Sequence, residues 1–169
     1  MNDFFRKEWS HFLIQLNSVD DINPRRLFEM IEQFLENCSP ILNNEPFEKY
    51  SLKSFLGLRF DDYVEDHGRY RKSDAEHFVW FVTNMKKISE SLIAQTLRDT
   101  LEAILVFESE RSCRQCKKPG MGVFKNDENG RLVYLCSVCG WAEYTDGLRI
   151  EPGEVEIAKL VDLKDAGLI

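Results

Sequence analysis

The sequence predicts an α+β protein, with a mainly α-helical N-terminal domain over 1–110, a small β module over 111–150 and a C-terminal helix over 151–169. Through most of the first domain, apolar side chains recur at three- and four-residue steps, which is the period of an amphipathic helix. Short apolar runs separated by Asn-Gly and Asp-Gly pairs follow, and such pairs are typical of turns between antiparallel strands. With 169 residues, the chain is long enough for one domain with its own core and an attached module.

The first two helices have clear sequence signals. Over 3–17, one helical face carries the apolar residues Phe5, Trp9, Phe12, Leu13 and Leu16. Asn23 and Pro24 then supply an N-cap and a first helical residue, and the apolar face that follows extends to Cys38. We therefore expect Cys38 to be a small buried hydrophobic side chain.

The rest of the N-terminal domain is predicted from turn and capping signals. Two prolines mark a loop over 39–46. Ser73 and Glu76 have the spacing of a capping box, which predicts a helix start. The apolar pattern after them is too long for one ordinary helix, so we expect a break either near Thr83 and Asn84 or near Lys87. Residues 77–82 would also suit a strand, but a helix is the prediction.

The β module is predicted to contain three strands and a closing segment. These are 121–124, 131–135, 140–144 and, after an Asp-Gly turn, 148–150. Residues 126–130 form the first turn, with Asn-Gly at its end. The last helix is expected to begin at Pro152, to carry its apolar side from Val155 to Leu163 and to end at Gly167.

Two CxxC pairs are the strongest chemical signal in the chain. Cys113 and Cys116 form the first pair, Cys136 and Cys139 form the second, and nineteen residues separate the two pairs. Thiolates at this spacing bind Zn²⁺ tetrahedrally. Because cysteines fill all four ligand positions, the sequence predicts one structural Zn²⁺ ion without an open position for a catalytic water. Zinc binding would supply on the order of 10 kcal/mol of folding free energy to this small module.

These residues resemble the zinc-ribbon family, in which CxxC, a hairpin and CxxCG are flanked by strands. The resemblance covers about 111–150 and implies a zinc-bound β module. It implies no single function, because ribbons serve in transcription proteins, enzymes and interaction modules alike. Gly140 fits a turn that needs a positive φ. The segment 157–169 is similar to the start of the SHOCT-type helical module, in which a Leu-x-x-Leu helix leads into a Gly-Leu-Ile turn.

The net charge of −7 is unevenly distributed along the chain. Residues 1–110 contain 13 basic and 20 acidic residues, whereas 111–169 contain nine of each. An acidic N-terminal domain disfavours broad binding to a phosphate backbone and suits a cationic protein partner.

The cysteines and the apolar pattern also predict the compartment. Four paired cysteines and one single cysteine favour a reducing environment with a bound metal over a disulfide scaffold. The sequence shows neither a basic-then-apolar leader nor an apolar run of membrane-spanning length. We therefore expect a cytoplasmic protein that has no membrane partner.

The densest group of ionisable residues outside the cysteines is the acidic segment Asp61, Asp62, Glu65 and Asp66, followed by His67. Three interpretations stay open: a solvated face, a face that binds a protein, and a catalytic or second metal site. The sequence contains neither an HExxH nor a GxSxG motif. His77 is expected to be partly buried, and Trp80 to lie in the core.

These observations predict a non-enzymatic, cytoplasmic protein-binding protein with a structural zinc ribbon. Its concrete form would be an immunity protein or antitoxin-type inhibitor. The residues Asp61, Asp62, Glu65 and Asp66 would then contact a cationic toxin, such as a nuclease.

The alternative is a nucleic-acid-associated, transcription-type regulator. Its phosphate contacts would come from the basic residues around the first cysteine pair, Arg111, Arg114, Lys117 and Lys118. A third interpretation is an enzyme whose substrate pocket is lined by His77 and the acidic segment.

Overall fold

The computed structural model describes residues 2–63, 70–85, 89–151 and 155–169. The chain divides into two compact units. The helical unit comprises Met1–Phe60 and Tyr70–Ile104, and the ribbon unit comprises Asp61–Arg69 and Leu105–Ile169. The predicted α+β class is confirmed. In the described residues, N-terminal helices are followed by a six-stranded antiparallel sheet and then by a C-terminal helix.

The helical unit is built mainly from four α-helices within the described residues. These are α1 Asp3–Asn17, α2 Pro24–Asn37, α3 Lys72–Asn84 and α4 Glu90–Leu105. Between α2 and α3 lie the short 3₁₀ helices Ser39–Ile41, Glu48–Tyr50, Leu52–Phe55 and Phe60–Asp62. The predicted cap of α2 is confirmed, since the Asn23 side chain accepts a hydrogen bond from the backbone N–H of Arg26 at 3.0 Å.

An aromatic cluster forms the centre of the helical unit. The ring centroid of Phe34 lies 4.9 Å from that of Phe12 and 5.6 Å from that of Trp9. Phe5 lies 5.8 Å from Phe34 and 4.8 Å from Phe47. None of the five rings belongs to a residue more than 4% exposed, so together they remove a large apolar area from water.

Cys38, directly after α2, is fully buried, as predicted. Burial, followed by the negative charge of Glu8, raises the pKa of its thiol to about 12. The thiol therefore stays protonated at neutral pH and packs as a small apolar group.

The start of α3 differs from the prediction. The helix begins at Lys72, and the backbone N–H of Arg71 donates to Oδ2 of Asp74 at 2.7 Å. The carboxylate that caps the helix start therefore belongs to Asp74, three residues after the N-cap. Ser73 lies within the first turn and is not the N-cap.

The predicted break in the long apolar pattern is confirmed. Helix α3 ends at Asn84, α4 begins at Glu90, and residues 77–82 are helical. Near the end of α3, the Thr83 hydroxyl donates to the carbonyl of Val79 at 2.7 Å. Such side-chain bonds compete with the continuing backbone ladder and are typical of helix ends.

The outer face of α3 is more aromatic than expected. Trp80 is 60% exposed and Phe81 is 38% exposed. The exposed His77 ring lies 5.8 Å from the Trp80 ring, centroid to centroid. The expectations of a core Trp80 and a partly buried His77 are therefore wrong. The buried positions of α3 are Ala75, Phe78 and Val82.

The ribbon unit contains a six-stranded antiparallel sheet and a short helix. The strands are β1 Glu108–Ser112, β2 Pro119–Asn126, β3 Leu132–Leu135, β4 Ala142–Tyr144, β5 Arg149–Ile150 and β6 Val155–Ile157, and the helix is α5 Leu160–Asp165. Strands β1 to β5 pair in sequence order, while β6 pairs with β2. One edge of β2 pairs with β3, and its other edge is shared by β1 and β6.

The structure corrects the prediction of a helix from Pro152 onward. Pro152 itself lies outside the described residues, but Val155–Ile157 form β6 and pair with residues 124–126 of β2. Helix α5 begins only at Leu160. The alternation of an apolar, an acidic and an apolar residue in β6 has the period of a strand, but three residues are too few to distinguish it from a helix start.

Strand β1 crosses position 110, where the sequence placed the end of the helical domain. Its sequence, Glu-Ser-Glu-Arg-Ser, is polar throughout, so no apolar alternation predicts a strand. Pairing with β2 places Glu108 opposite Gly122 and Ser112 opposite Pro119, with a register shift between Ser109 and Ser112. A polar, irregular strand is typical of a sheet edge.

Apolar clusters lie on both faces of the sheet. One cluster contains Met121, Val123, Leu132, Tyr134, Ala158 and Leu163, together with Cys113 and Cys136. The other is centred on Val133, Ala142 and Tyr144. Consecutive residues of β3 alternate between the clusters, as expected for a strand. Through Leu163, helix α5 packs against the face that carries the buried cysteines.

Candidate metal centre

Four cysteine thiols of the ribbon unit converge. Cys113, Cys116, Cys136 and Cys139 have Sγ atoms that all lie within 4.8 Å of one another. The Sγ atoms of Cys113 and Cys139 are 3.5 Å apart, and those of Cys116 and Cys136 are 3.6 Å apart. Sulfurs bound tetrahedrally to one zinc ion at about 2.3 Å would be about 3.8 Å apart. The observed separations fit such a site.

The sheet brings the two cysteine turns to the same end. The first turn connects β1 to β2, and the second connects β3 to β4. Because β2 and β3 are antiparallel neighbours, with Gly122 opposite Leu135, the start of β2 lies beside the end of β3. Residues far apart in sequence are therefore placed around one point.

The two CxxC turns have the same backbone pattern. The N–H of Lys117 donates to the carbonyl of Cys113 at 2.9 Å, and the N–H of Gly140 donates to that of Cys136 at 3.0 Å. The donor residue has a positive φ in both turns, 62° at Lys117 and 69° at Gly140. Gly140 adopts this conformation without steric cost, as predicted. Lys117 adopts it against the ordinary preference of a residue with a Cβ.

The four thiols have different surroundings. Cys113 and Cys136 are buried, whereas Cys116 and Cys139 are exposed. Burial opposes ionisation of Cys136, but backbone N–H groups of its turn and neighbouring thiols lower its pKa to about 7. The backbone N–H of Trp141 favours the Cys139 thiolate, but desolvation and neighbouring thiols raise the pKa of Cys139 to about 12. The backbone N–H groups of its turn therefore favour the thiolate of Cys136, which is the form that binds metal.

A buried carboxylate to which sequence reasoning assigned no role lies on β4. The side chain of Glu143 is 3% exposed, and it accepts a hydrogen bond from Nε1 of Trp141 at 2.9 Å. Its oxygens also lie 3.3 Å from Nε of Arg114 and 3.8 Å from Nη1 of Arg111. The available sequence signal was a charged residue between two apolar residues of a short strand.

The two arginines of the predicted basic group make contacts within the ribbon unit, although their side chains are partly exposed. Arg111 donates to the carbonyl of Thr145 at 2.9 Å, and its guanidinium carbon lies 4.1 Å from the Tyr134 ring centroid. Arg114 lies over Gly147, where an added Cβ would be 2.6 Å from its Nη2. Both guanidinium groups therefore face protein groups as well as solvent.

The two lysines of the same group lie on the surface. Lys117 and Lys118 are exposed, and Nζ of Lys117 donates to the carbonyl of Arg114 at 2.9 Å. The structure thus brings the four predicted basic residues together near the cysteines. The arginines contact Glu143, whereas the lysines are exposed.

The acidic segment is only partly described. Asp61 and Asp62 lie in the 3₁₀ helix Phe60–Asp62. Outside the described residues lie Glu65, Asp66 and His67. Tyr63 is buried, and burial, followed by the negative charge of Glu156, raises its pKa. The described part is therefore a short acidic turn beside a buried tyrosine.

The distribution of charge between the two units differs from the distribution between residues 1–110 and 111–169. The helical unit contains 12 basic and 14 acidic residues, and the ribbon unit contains 10 basic and 15 acidic residues. The acidic segment and β1 belong to the ribbon unit, so most of the negative charge lies there.

Comparisons with protein-family models, with curated proteins and with solved structures find no match for this chain.

The cysteine geometry is consistent with a zinc-ribbon-like metal site. Among the described residues, none of the helices is long and apolar enough to cross a membrane.

Proposed function

We propose that this protein is a non-enzymatic, cytoplasmic protein-binding protein whose ribbon unit is stabilised by one structural Zn²⁺ ion. The convergence of four cysteine Sγ atoms within 4.8 Å carries the metal part of the proposal. Thiolates suit zinc, and four of them complete its tetrahedral shell. A zinc ion bound in this way stabilises a fold and has no open position for a substrate.

The charge of the ribbon unit supports a cationic partner. With 15 acidic and 10 basic residues, this unit would attract a basic protein over a distance limited by salt screening. The contact that we propose is formed by the acidic segment Asp61, Asp62, Glu65 and Asp66. An immunity protein or antitoxin-type inhibitor that binds a cationic toxin is one concrete form of this function.

The partner proposal can be tested by affinity capture. The full chain is immobilised, incubated at low salt with lysate of its own cells and eluted with rising salt, and the eluted proteins are identified by mass spectrometry. We expect a basic protein whose retention falls as salt rises. Replacing Asp61, Asp62, Glu65 and Asp66 by Lys should abolish its capture.

A matched control separates a specific contact from general charge attraction. Asp20, Glu36, Glu45 and Glu48 are exposed acidic residues of the helical unit, and replacing them by Lys changes the net charge by the same amount. Capture should persist in this control. Equal loss in both variants, or no basic protein retained by the unmodified chain, would refute the proposed contact.

The nucleic-acid alternative is favoured by the exposed Lys117 and Lys118 beside the cysteine cluster. Against it, Arg111 and Arg114 already lie 3.8 Å and 3.3 Å from the Glu143 carboxylate. Fluorescence anisotropy with labelled DNA and RNA distinguishes the two proposals. A nucleic-acid binder should lose affinity steeply with salt, with a smaller slope after Lys117→Ala and Lys118→Ala. Negligible binding at low salt would exclude this alternative.

A further inference from the structure

We propose that Glu143 is a positioning residue for the metal site, because its carboxylate holds both cysteine turns in the arrangement that a tetrahedral ion requires. The inference rests on the zinc part of the proposed function. It goes beyond that function, since Glu143 is not among the four ligands.

The first connection runs to the turn between β1 and β2. Arg114 lies between Cys113 and Cys116 in sequence, and its Nε is 3.3 Å from Oε2 of Glu143. An added Cβ at Gly147 would be 2.6 Å from the Arg114 guanidinium, so the backbone of Gly147 lies close against this group. The Arg114 side chain is 62% exposed, but its guanidinium contacts both a carboxylate and a turn, and these contacts restrain the backbone between the two cysteines.

The second connection runs to the turn between β3 and β4. Trp141 follows Cys139 by two residues, and its indole N–H donates to Oε2 of Glu143 at 2.9 Å. The carbonyl of Trp141 accepts a hydrogen bond from the backbone N–H of Cys136 at 2.9 Å. Glu143 therefore contacts the residue whose backbone closes the second cysteine turn.

Glu143 is buried although its arginine partners are partly exposed, so its carboxylate depends on these contacts. A carboxylate that is 3% exposed is costly to bury unless charged or polar partners satisfy it. Here the indole N–H of Trp141 donates a hydrogen bond to it, and the guanidinium groups of Arg111 and Arg114 lie at ion-pair distance, 3.8 Å and 3.3 Å. Its removal would leave these donors without their shared acceptor, and both turns would lose a restraint. Replacing an outer group that orients metal ligands typically weakens metal binding 10- to 100-fold.

The test is the zinc affinity of Glu143→Gln, measured in the full chain by competition with a chromophoric chelator. Glutamine keeps an acceptor for Trp141 and removes the charge that holds Arg111 and Arg114. We expect zinc binding to weaken about 10- to 100-fold. Helix content, measured by far-UV circular dichroism, should stay unchanged.

Asp146→Asn provides the matched control. It also removes one negative charge, from the turn between β4 and β5. The Asp146 side chain is 56% exposed and pairs with Arg131 at 2.7 Å. Exposed pairs contribute little, so zinc affinity should change less than about fivefold. If Glu143→Gln weakened zinc binding no more than Asp146→Asn, the inference would be wrong.

Two further measurements separate positioning from a general loss of stability. If Glu143 acts through Arg114, Arg114→Gln should weaken zinc binding, and combining it with Glu143→Gln should weaken binding by less than the product of the single effects. With Co²⁺ as the probe, the Glu143→Gln variant should need a higher Co²⁺ concentration for saturation. Once saturated, it should show the same tetrahedral thiolate spectrum as the unmodified chain. Fully multiplicative effects would overturn the inference. Failure of the unmodified chain to bind zinc would instead refute the metal part of the proposed function.

Discussion

The helical unit and the ribbon unit are stabilised by different interactions. Five buried aromatic rings, with Phe34 near their centre, form the helical core. In the ribbon unit, two of the four converging thiols are packed among apolar side chains, and a buried carboxylate lies near the cysteine turns. A small β module buries less apolar area than a larger domain, so it depends more on metal binding and ion pairs.

Guanidinium groups stack on aromatic rings in both units: among the described residues, Arg25 lies 4.6 Å from the Phe60 ring centroid in the helical unit, and three such contacts occur in the ribbon unit. Arg111 lies 4.1 Å from the ring centroid of Tyr134, Arg131 lies 3.9 Å from that of Tyr144, and Arg149 lies 4.8 Å from that of Trp141. Each arginine covers an aromatic face and still reaches solvent. The described part of the ribbon unit thus has more contacts of this kind than that of the helical unit. Substitutions in the two units should therefore affect different properties: metal binding in the ribbon unit and core stability in the helical unit.

The largest effect is expected from Cys136→Ser. It removes a buried ligand, so zinc content should fall from one ion per chain to near zero. The ribbon unit should lose its ordered structure, because structural zinc contributes on the order of 10 kcal/mol. Atomic absorption measures the first result and amide chemical-shift dispersion the second. Helix content should persist, and unchanged zinc stoichiometry would contradict the four-cysteine site.

Phe34→Ala should give the next largest effect, in the other unit. It removes the ring that contacts Phe5, Trp9 and Phe12, and we expect a loss of about 3–5 kcal/mol in the free energy of unfolding. Urea denaturation followed by tryptophan fluorescence measures this, while zinc stoichiometry should remain at one. Phe4→Ala, at a residue that is 41% exposed, is the matched control and should cost much less. Loss of zinc in Phe34→Ala would show that the two units do not fail separately.

Cys38→Ala should have the smallest effect. The residue is fully buried, and losing one sulfur atom from the core should cost about 1 kcal/mol. Zinc content should not change. Because burial raises the thiol pKa to about 12, Cys38 should also resist alkylation in the folded protein at neutral pH. Rapid labelling of Cys38 by iodoacetamide under native conditions would contradict this description.

Local signals made much of the helical unit predictable. The Asn23 cap lies three residues from its partner, and the apolar stripe of α1 repeats within one helix. The cysteine spacing was equally local, because CxxC turns form within a few residues. In each case, the interaction that determines the structure lies within a short window of sequence.

Trp80 shows how a local signal can fail. Every residue from 78 to 82 is apolar, so the sequence does not distinguish the buried face of α3 from the exposed one. The helix was predictable, but its orientation depends on which neighbours pack against it. Ala75 and Val82 are buried, and Trp80 lies outside.

Strand β6 and Glu143 show the limit set by distant contacts. Val155 pairs with Asn126, and this partner cannot be identified from the three residues of β6. The role of Glu143 depends on Arg111 and Arg114, which precede it by about thirty residues and meet it only once the sheet has formed. The sequence therefore indicated the four cysteines that converge, but it did not indicate the buried carboxylate near their turns.

The shared edge of β2 has a consequence for the newly synthesised chain. The ribosome produces β6 after β1 to β5, so residues 124–126 of β2 keep unpaired backbone groups until β6 docks. An unpaired edge can recruit the same edge of another nascent chain. Lys125 favours the correct strand, because its Nζ lies 3.8 Å from Glu156 of β6 and 3.0 Å from Asp162 of α5, whereas a second β2 would present another lysine. In the folded chain, β6 covers this part of the β2 edge, and the ion pairs of Lys125 favour that pairing.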